Sequence, residues 1–269
     1  MQAGPEDGEL ALCLHGFPEF WMGWASQIDA LAAVGYRVWC PDQRGYNTSD
    51  KPRGIEAYTV DVLVEDVRGL VERAGGKPVA LLGHDWGGAV AWLFANRHPQ
   101  LVRKLVIVNS PHFSVMRQQL KSNPAQRRRS WYMSFFQLPL VPELSLSAFN
   151  FHALEKALTR TSRPGAFPEE KLAAYRAAWR QPGALTASLN WYRALFRGSK
   201  QRVADRRIKV PTLLIWGTGD TALGRELAQP SIEQCDDGKL VFIEDAGHWV
   251  LHEEPQKVAA LIGDFLRPA

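Results

Sequence analysis

Cysteine is scarce, at three among 269 residues, and Cys13, Cys40 and Cys235 cannot all pair. Two of them fall inside apolar runs that read as buried strands. Free thiols in a reducing compartment are therefore the simplest expectation, and a disulfide-stapled fold is excluded. Charge of one sign is also lacking. Lys and Arg number 32 against 28 Asp and Glu, a formal +4, and the basic residues are spread along the chain rather than interleaved with aromatics. No nucleic-acid partner is expected. The least charged stretch, Pro78 to Asn96, carries His84 and Asp85 among glycines at its middle, which suits a strand, a sharp turn and a helix better than a membrane span. The opening MQAGPEDGEL has neither the positive nor the apolar region of a signal peptide, so a cytoplasmic location is expected. No internal repeat, low-complexity linker or CxxC pair occurs. His248 and His252 are four apart, but Trp249 stands where a zinc-binding helix would carry Glu, so neither metal nor cofactor is expected.

What is present is material for a large core: 46% hydrophobic and 10% aromatic residues. Six β-type runs, ELALCLHG, YRVWCPD, PVALLG, KLVIVNS, PTLLIWG and KLVFIED, alternate at both ends of the chain with helical patterns at Glu56–Arg73, Gly87–His98 and Pro255–Leu266. Several runs are apolar at every position, as strands covered on both faces are. This predicts an α/β fold with a mostly parallel central sheet flanked by helices. From Pro111 to Arg206 the strand signal stops. PAQRRRSWYMSFFQLP, PEEKLAAYRAAWRQ and PGALTASLNWYRALF each open on or near Pro and carry apolar residues at helical spacing. The expected organisation is a core domain from residues 1–110 and 207–269, with an all-helical cap of residues 111–206 inserted between two strands. The basic segment GSKQRVADRR reads as a solvated return loop.

PVALLG runs into Gly83-His84-Asp85-Trp86-Gly87-Gly88 and then AVAWLFANRH. Glycines at two positions either side of Asp85 fit a strained strand-to-helix elbow that lifts one side chain off the carboxyl end of a sheet, where most such elbows carry Ser. The bland alternative is a helix N-cap. A carboxylate nucleophile forms an ester that an activated water must then hydrolyse, which requires a base. His248, in EDAGHW after KLVFI, supplies an imidazole. Asp220, closing PTLLIWGTGD, supplies the acid that would fix its tautomer. The order Asp85, Asp220, His248 is the nucleophile, acid, histidine order of α/β hydrolases. Water attacking the ester also needs an oxyanion site. In this fold its donors are the N–H groups of the residue after the nucleophile, Trp86, and of the loop HGFPEFW, where Phe17 qualifies and Pro18 has none to give. The Phe17–Pro18 bond is a candidate for the cis form.

HGFPEFWMGW, PDQRGYNTSDKP, GHDWGGAVAW, SWYMSFFQLP, LNWYRALF and DAGHWVLHEEP together resemble the α/β-hydrolase superfamily over nearly the whole chain, and within it the soluble epoxide hydrolases, which are related to haloalkane dehalogenases. The resemblance implies an enzyme converting epoxides to vicinal diols without a cofactor. It also implies two cap tyrosines, Tyr132 and Tyr192 by motif match, that hydrogen-bond the epoxide oxygen. A phenol, with an ordinary pKa of about 10, suits that role because it can protonate an alkoxide without ionising at neutral pH. Phe20, Trp21, Trp131, Phe135 and Trp249 join Phe17 and Trp86 as candidates for an apolar substrate pocket. Tyr46 and Tyr175 read as ordinary core residues with hydroxyls reaching water, and His15 and His84 as supporting residues. The expected partners are a small apolar epoxide and water, with the chain a monomer or homodimer.

Three departures from the family stand out. Only about seven residues precede GELALCLHG, where relatives have a strand pair, so the sheet should be shorter at one edge, which could expose apolar surface or require a partner. The position used for the acid in some dehalogenases falls near Asn109, which favours Asp220. Fluoroacetate-type dehalogenases have Arg after the nucleophile, where this chain has Trp86. A haloalkane dehalogenase, with Trp86 gripping the halide, remains the alternative reading, although Phe17 stands where one subfamily has a second halide donor. A ligand-binding receptor on the same scaffold is the non-enzymatic alternative, which the filled catalytic positions disfavour.

Overall fold

A computed structural model of the chain describes residues 1–195, 197 and 207–267. Seven strands form one sheet: β1 (Gln2–Ala3), β2 (Leu10–Leu14), β3 (Arg37–Trp39), β4 (Val79–His84), β5 (Val102–Val108), β6 (Thr212–Gly217) and β7 (Gly238–Ile243). Their spatial order is β1-β3-β2-β4-β5-β6-β7. All pairings are parallel except β1 with β3. Side chains alternate across a strand. Leu10, Leu12, Leu14, Val79 and Leu81 therefore enter one core, while Ala11, Cys13, Ala80 and Leu82 enter another on the opposite face. With both faces covered, β2 is apolar at every position and β4 from Val79 to Gly83, as expected.

The helices are α1 (Ala25–Ala33), α2 (Val60–Arg73), α3 (Trp86–Arg97), α4 (Phe113–Ser122), α5 (Pro124–Arg129), α6 (Trp131–Phe135), α7 (Val141–Thr159), α8 (Glu169–Trp179), α9 (Ala184–Leu195), α10 (Ala228–Ile232), α11 (Val250–Glu253) and α12 (Pro255–Leu266). In α2 and α12 the buried stripes are Leu63, Val64, Val67, Val71 and Val258, Ile262, Leu266. Those spacings lay one face of each helix on the sheet. The single helix expected from Glu56 is broken. Thr59 is extended after a short 3-10 turn at Ile55–Tyr58, where the buried Tyr58 turns in and donates to the Pro52 carbonyl at 2.8 Å. Helices α4 to α9 all lie between β5 and β6 in sequence. Helix α7, which the sequence pattern did not signal, is interrupted by non-helical residues at 148–151. Of the basic segment GSKQRVADRR, all but Arg207 lies outside the described residues.

The expected open edge is closed. Gln2 and Ala3 pair antiparallel with Trp39 and Val38, the terminal ammonium donates to the Cys40 carbonyl at 2.9 Å, and the Arg37 guanidinium covers the Trp39 ring at 4.7 Å. Val38 and Trp39 are buried as a result. Two residues of strand are enough to cover so short an edge.

From β2 the chain moves to β3 on one side, and β4 then lies on the other, so the loops after β2 and β4 part at a topological switch point. Open α/β sheets place their ligand crevice there, outside the carboxyl ends of the strands.

Candidate active site

Asp85 leaves β4 with φ 50° and ψ −118°, a strained conformation that costs a non-glycine residue about 1–3 kcal/mol. Its surroundings enforce it. The Asp85 N–H donates to the Val108 carbonyl at 3.3 Å, and its carbonyl accepts from the Ser110 hydroxyl at 2.7 Å. A Cβ at Gly83 would lie 2.5 Å from the Gly87 carbonyl oxygen, and one at Gly87 would overlap the Leu14 carbonyl. The glycines are therefore demanded by close approach between the elbow and its own helix and between that helix and β2. Although Asp85 occupies the N-cap position of α3, its side chain makes no capping bond. Instead Oδ1 accepts the Phe17 N–H at 2.8 Å. The Phe17–Pro18 peptide is cis.

His248 follows β7, and Asp220 follows β6. The Asp220 carboxylate is buried among four donors: Asn109 Nδ2 at 2.7 Å and His248 Nδ1 at 2.6 Å on Oδ2, and the Ala222 and Leu223 N–H groups at 2.8 Å each on Oδ1. Burial pushes its pKa up, but the charge and hydrogen bond of His248 and the N–H donors more than reverse this, and it stays below its ordinary value. With Nδ1–H given to Asp220, the imidazole turns Nε2 to Asp85 Oδ2 at 3.6 Å. Burial would lower the His248 pKa, yet the Asp220 and Asp85 carboxylates raise it well above the ordinary value.

Strands β4 and β7 are three sheet spacings apart, about 14 Å at ~4.8 Å each, so the His248 loop must fold back over the sheet. His84 secures that return, because its Nε2 donates to the His248 carbonyl at 2.9 Å. Its Nδ1 faces Glu19 Oε2 at 3.0 Å. Glu19 is fully buried and also meets the Tyr175 hydroxyl at 2.6 Å and His252 Nε2 at 2.7 Å. Sequence reasoning gave Glu19 no role. The available signal was an acid set between Pro18 and two aromatics with no nearby base. Tyr175 and Tyr46 correct an expectation, since both hydroxyls are buried away from water. His15, as expected, supports a loop by accepting the Gln43 N–H at 3.0 Å.

Tyr132 and Tyr192 meet edge to face at 5.9 Å between ring centroids. Tyr192 also packs against Trp86 at 5.0 Å and Phe17 at 5.3 Å, immediately beside the elbow. Burial and the Asp85 charge raise the pKa of both phenols, which keeps them neutral. Trp131 is corrected as a pocket residue. Consecutive helical side chains point about 100° apart, so with Tyr132 turned inward Trp131 is 64% exposed. Phe20 lines a cavity with Phe17, Tyr46, Leu154, Trp179 and Leu185. Phe135 is half-buried between Phe136 and Trp131. Trp21 and Trp249 pack into the apolar cluster between the sheet-side loops and α7 and α8. The Trp249 indole N–H donates to Thr161 Oγ1 at 2.8 Å and its ring contacts His248 at 4.7 Å. Among the described residues no cluster of three or more His, Cys, Asp or Glu forms a metal site, and no helix is long and apolar enough to cross a membrane.

An elbow acid backed by a histidine and a second acid, on this sheet order, defines an α/β hydrolase, and the profile of the alpha/beta hydrolase fold matches residues 11–255. The chain belongs to that family, in the branch of the epoxide hydrolases. It is 46% identical to the AB hydrolase superfamily protein YfhM of Bacillus subtilis (strain 168), over 98% of this chain and 92% of that one. It is 39% identical to Epoxide hydrolase 1 of Caenorhabditis elegans, over 99% of this chain and 67% of the relative. The crystal structure of Bacillus megaterium epoxide hydrolase with an inhibitor superposes at a TM-score of 0.89 with 33% identity, covering 99% of this chain and 95% of that one. These relatives do not favour the haloalkane dehalogenase alternative.

Proposed function

We propose that this epoxide hydrolase opens its substrate in two steps. Asp85 Oδ2 attacks an epoxide carbon, the C–O bond breaks, and Tyr132 and Tyr192 donate to the departing oxygen, one phenol proton completing the hydroxyl of the ester intermediate. His248 then takes a proton from water, whose oxygen attacks the Asp85 carbonyl carbon. The anion that develops on Oδ1 lies against the Phe17 N–H, with Trp86 N–H as second donor. Collapse releases the diol and regenerates the carboxylate. The proton on His248 returns through solvent to the phenolate.

The observation that carries this reading is one line of contacts, from Asp220 through His248 to Asp85 Oδ2, with Oδ1 already held by Phe17. Electrostatics support the division of labour. Esterification removes the Asp85 charge, one of the influences that raises the His248 pKa, so the pKa falls and the imidazole is freed more readily at the step that needs a base. The same loss of charge eases proton donation by the two phenols, whose pKa values Asp85 also raises.

Residues 111–206 serve as a helical cap over a core of residues 1–110 and 207–269, and the aromatic lining around Phe17 and Phe20 favours apolar aryl or alkyl epoxides. Three buried free thiols support a reducing cytoplasmic setting. One chain contains every reacting group, so a monomer and a homodimer are equally competent. The test is His248→Gln. It should add the mass of one substrate molecule to the peptide containing Asp85, and an unmodified peptide after exposure to substrate would contradict the two-step reading.

A further inference from the structure

Nine large apolar side chains are left exposed among the described residues, and six of them fall between residues 131 and 149. Phe149 is 92% exposed, Leu140 71%, Leu144 70% and Trp131 64%, with Leu138 and Val141 about half exposed. They are close in sequence, and local contacts link several of them. Trp131 packs on Phe135 at 5.8 Å, the Leu138 N–H donates to the Phe135 carbonyl, and the Leu144 N–H donates to the Leu140 carbonyl. From Trp131 to Leu154 the sequence holds a single acid, Glu143, and no Lys or Arg. Glu143 is spent on a bidentate pair with Arg193. Scattered exposed apolar residues are ordinary, but six within one short segment whose single acid is already paired mark an interaction surface.

Helix α5 directly precedes this run and carries Arg127, Arg128 and Arg129. Arg129 pairs with Glu226. Arg127 and Arg128 are exposed and meet no acid among the described residues, Arg127 donating only to the Lys121 carbonyl.

We propose that this face of the helical insertion docks on an anionic lipid bilayer, with Trp131, Leu140, Leu144 and Phe149 entering the interface and Arg127 and Arg128 at the headgroups. Projecting apolar side chains beside unmatched cations suit a deformable, negatively charged medium. A second copy docking face to face would have to offer acids for the arginines, and the one acid in this run, Glu143, is already paired with Arg193. Helix α6 presents Trp131 outward and Tyr132 toward Asp85, so docking would bring apolar substrates dissolved in the bilayer to within about one helix diameter, ~10 Å, of the site.

The test is co-sedimentation of the full chain with phosphatidylcholine vesicles, alone or with about one third phosphatidylglycerol. The wild type should sediment with the anionic vesicles and not with the neutral ones. Leu144→Ser/Phe149→Ser and Arg127→Glu/Arg128→Glu should each lower partitioning by about tenfold or more, while epoxide hydrolysis in vesicle-free buffer stays at the wild-type rate. Absence of wild-type sedimentation would overturn the proposal, as would wild-type binding by both variants. A dimer in solution that Leu144→Ser/Phe149→Ser converts to monomer, without vesicle binding, would assign the face to a second copy instead.

Discussion

The sheet side and the helical side of the site hold their groups by different means. Asp85, Asp220 and His248 each follow a strand end, and backbone donors or buried partners fix them: Phe17 N–H and Ser110 for Asp85, four donors for Asp220, and the His84 bond for the His248 loop. Tyr132 and Tyr192 stand on α6 and α9, placed by ring packing against Phe136, Phe17 and Trp86. Sheet-side geometry is thus set by hydrogen bonds to the reacting groups themselves, and the phenol rings of the helical side by apolar contacts that tolerate adjustment, with Gln137 and Arg193 tying α9 to the segment that follows α6. Damage on the first side should therefore be all-or-none, and on the second side graded.

The largest effect is expected at Asp85. Asp85→Ala should lower kcat by about 10⁴-fold or more with the fold intact, because no second nucleophile is in reach. Circular dichroism with diol assays checks both halves of that statement, and retention of even a few per cent of activity would refute it. On the other side, Tyr132→Phe and Tyr192→Phe should each slow ester formation by ~10- to 100-fold, as loss of one of two proton donors does, with the double variant nearly inactive. Stopped-flow tryptophan fluorescence under excess enzyme reads that step, and an unchanged rate in both single variants would make these phenols packing residues.

A stability probe sharpens the same contrast. Gly87→Ala drives a methyl into the Leu14 carbonyl and should cost about 3 kcal/mol in urea unfolding. Leu185→Ala, at a half-buried position in the cavity lining, should cost about 1 kcal/mol, since only part of that side chain leaves water. Equal losses would erase the distinction.

The smallest effect concerns pH. The folded pKa of His248 lies above its unfolded value of about 6.5. Its contribution to stability is therefore complete below that unfolded value and fades as pH rises through the folded one. Wild type minus His248→Gln stability should decline with alkaline pH over that window, and a difference growing toward alkaline pH would reverse the sign.

This asymmetry also decided what could be read from the chain alone. All six strand runs and the elbow were legible because buried parallel strands and a Gly-flanked Asp leave local marks, and Asp220 and His248 fell at strand ends. Glu19 was not legible, because its partners His84, Tyr175 and His252 are 65, 156 and 233 residues away. Trp131 misled because the facing of a five-residue helix is set by tertiary contact rather than by periodicity. The strand β1 escaped notice because two residues carry no pattern.

The central claim, that Asp85 is a covalent nucleophile, is tested most directly by the origin of the diol oxygen in a single turnover. With enzyme in excess in ¹⁸O water, the oxygen joined to the substrate should come from the Asp85 carboxylate, so the first diol should be almost unlabelled. Label should then enter both diol and Asp85 over many turnovers. A fully labelled diol from the first turnover would show that water attacks the epoxide directly, leaving Asp85 as a general base.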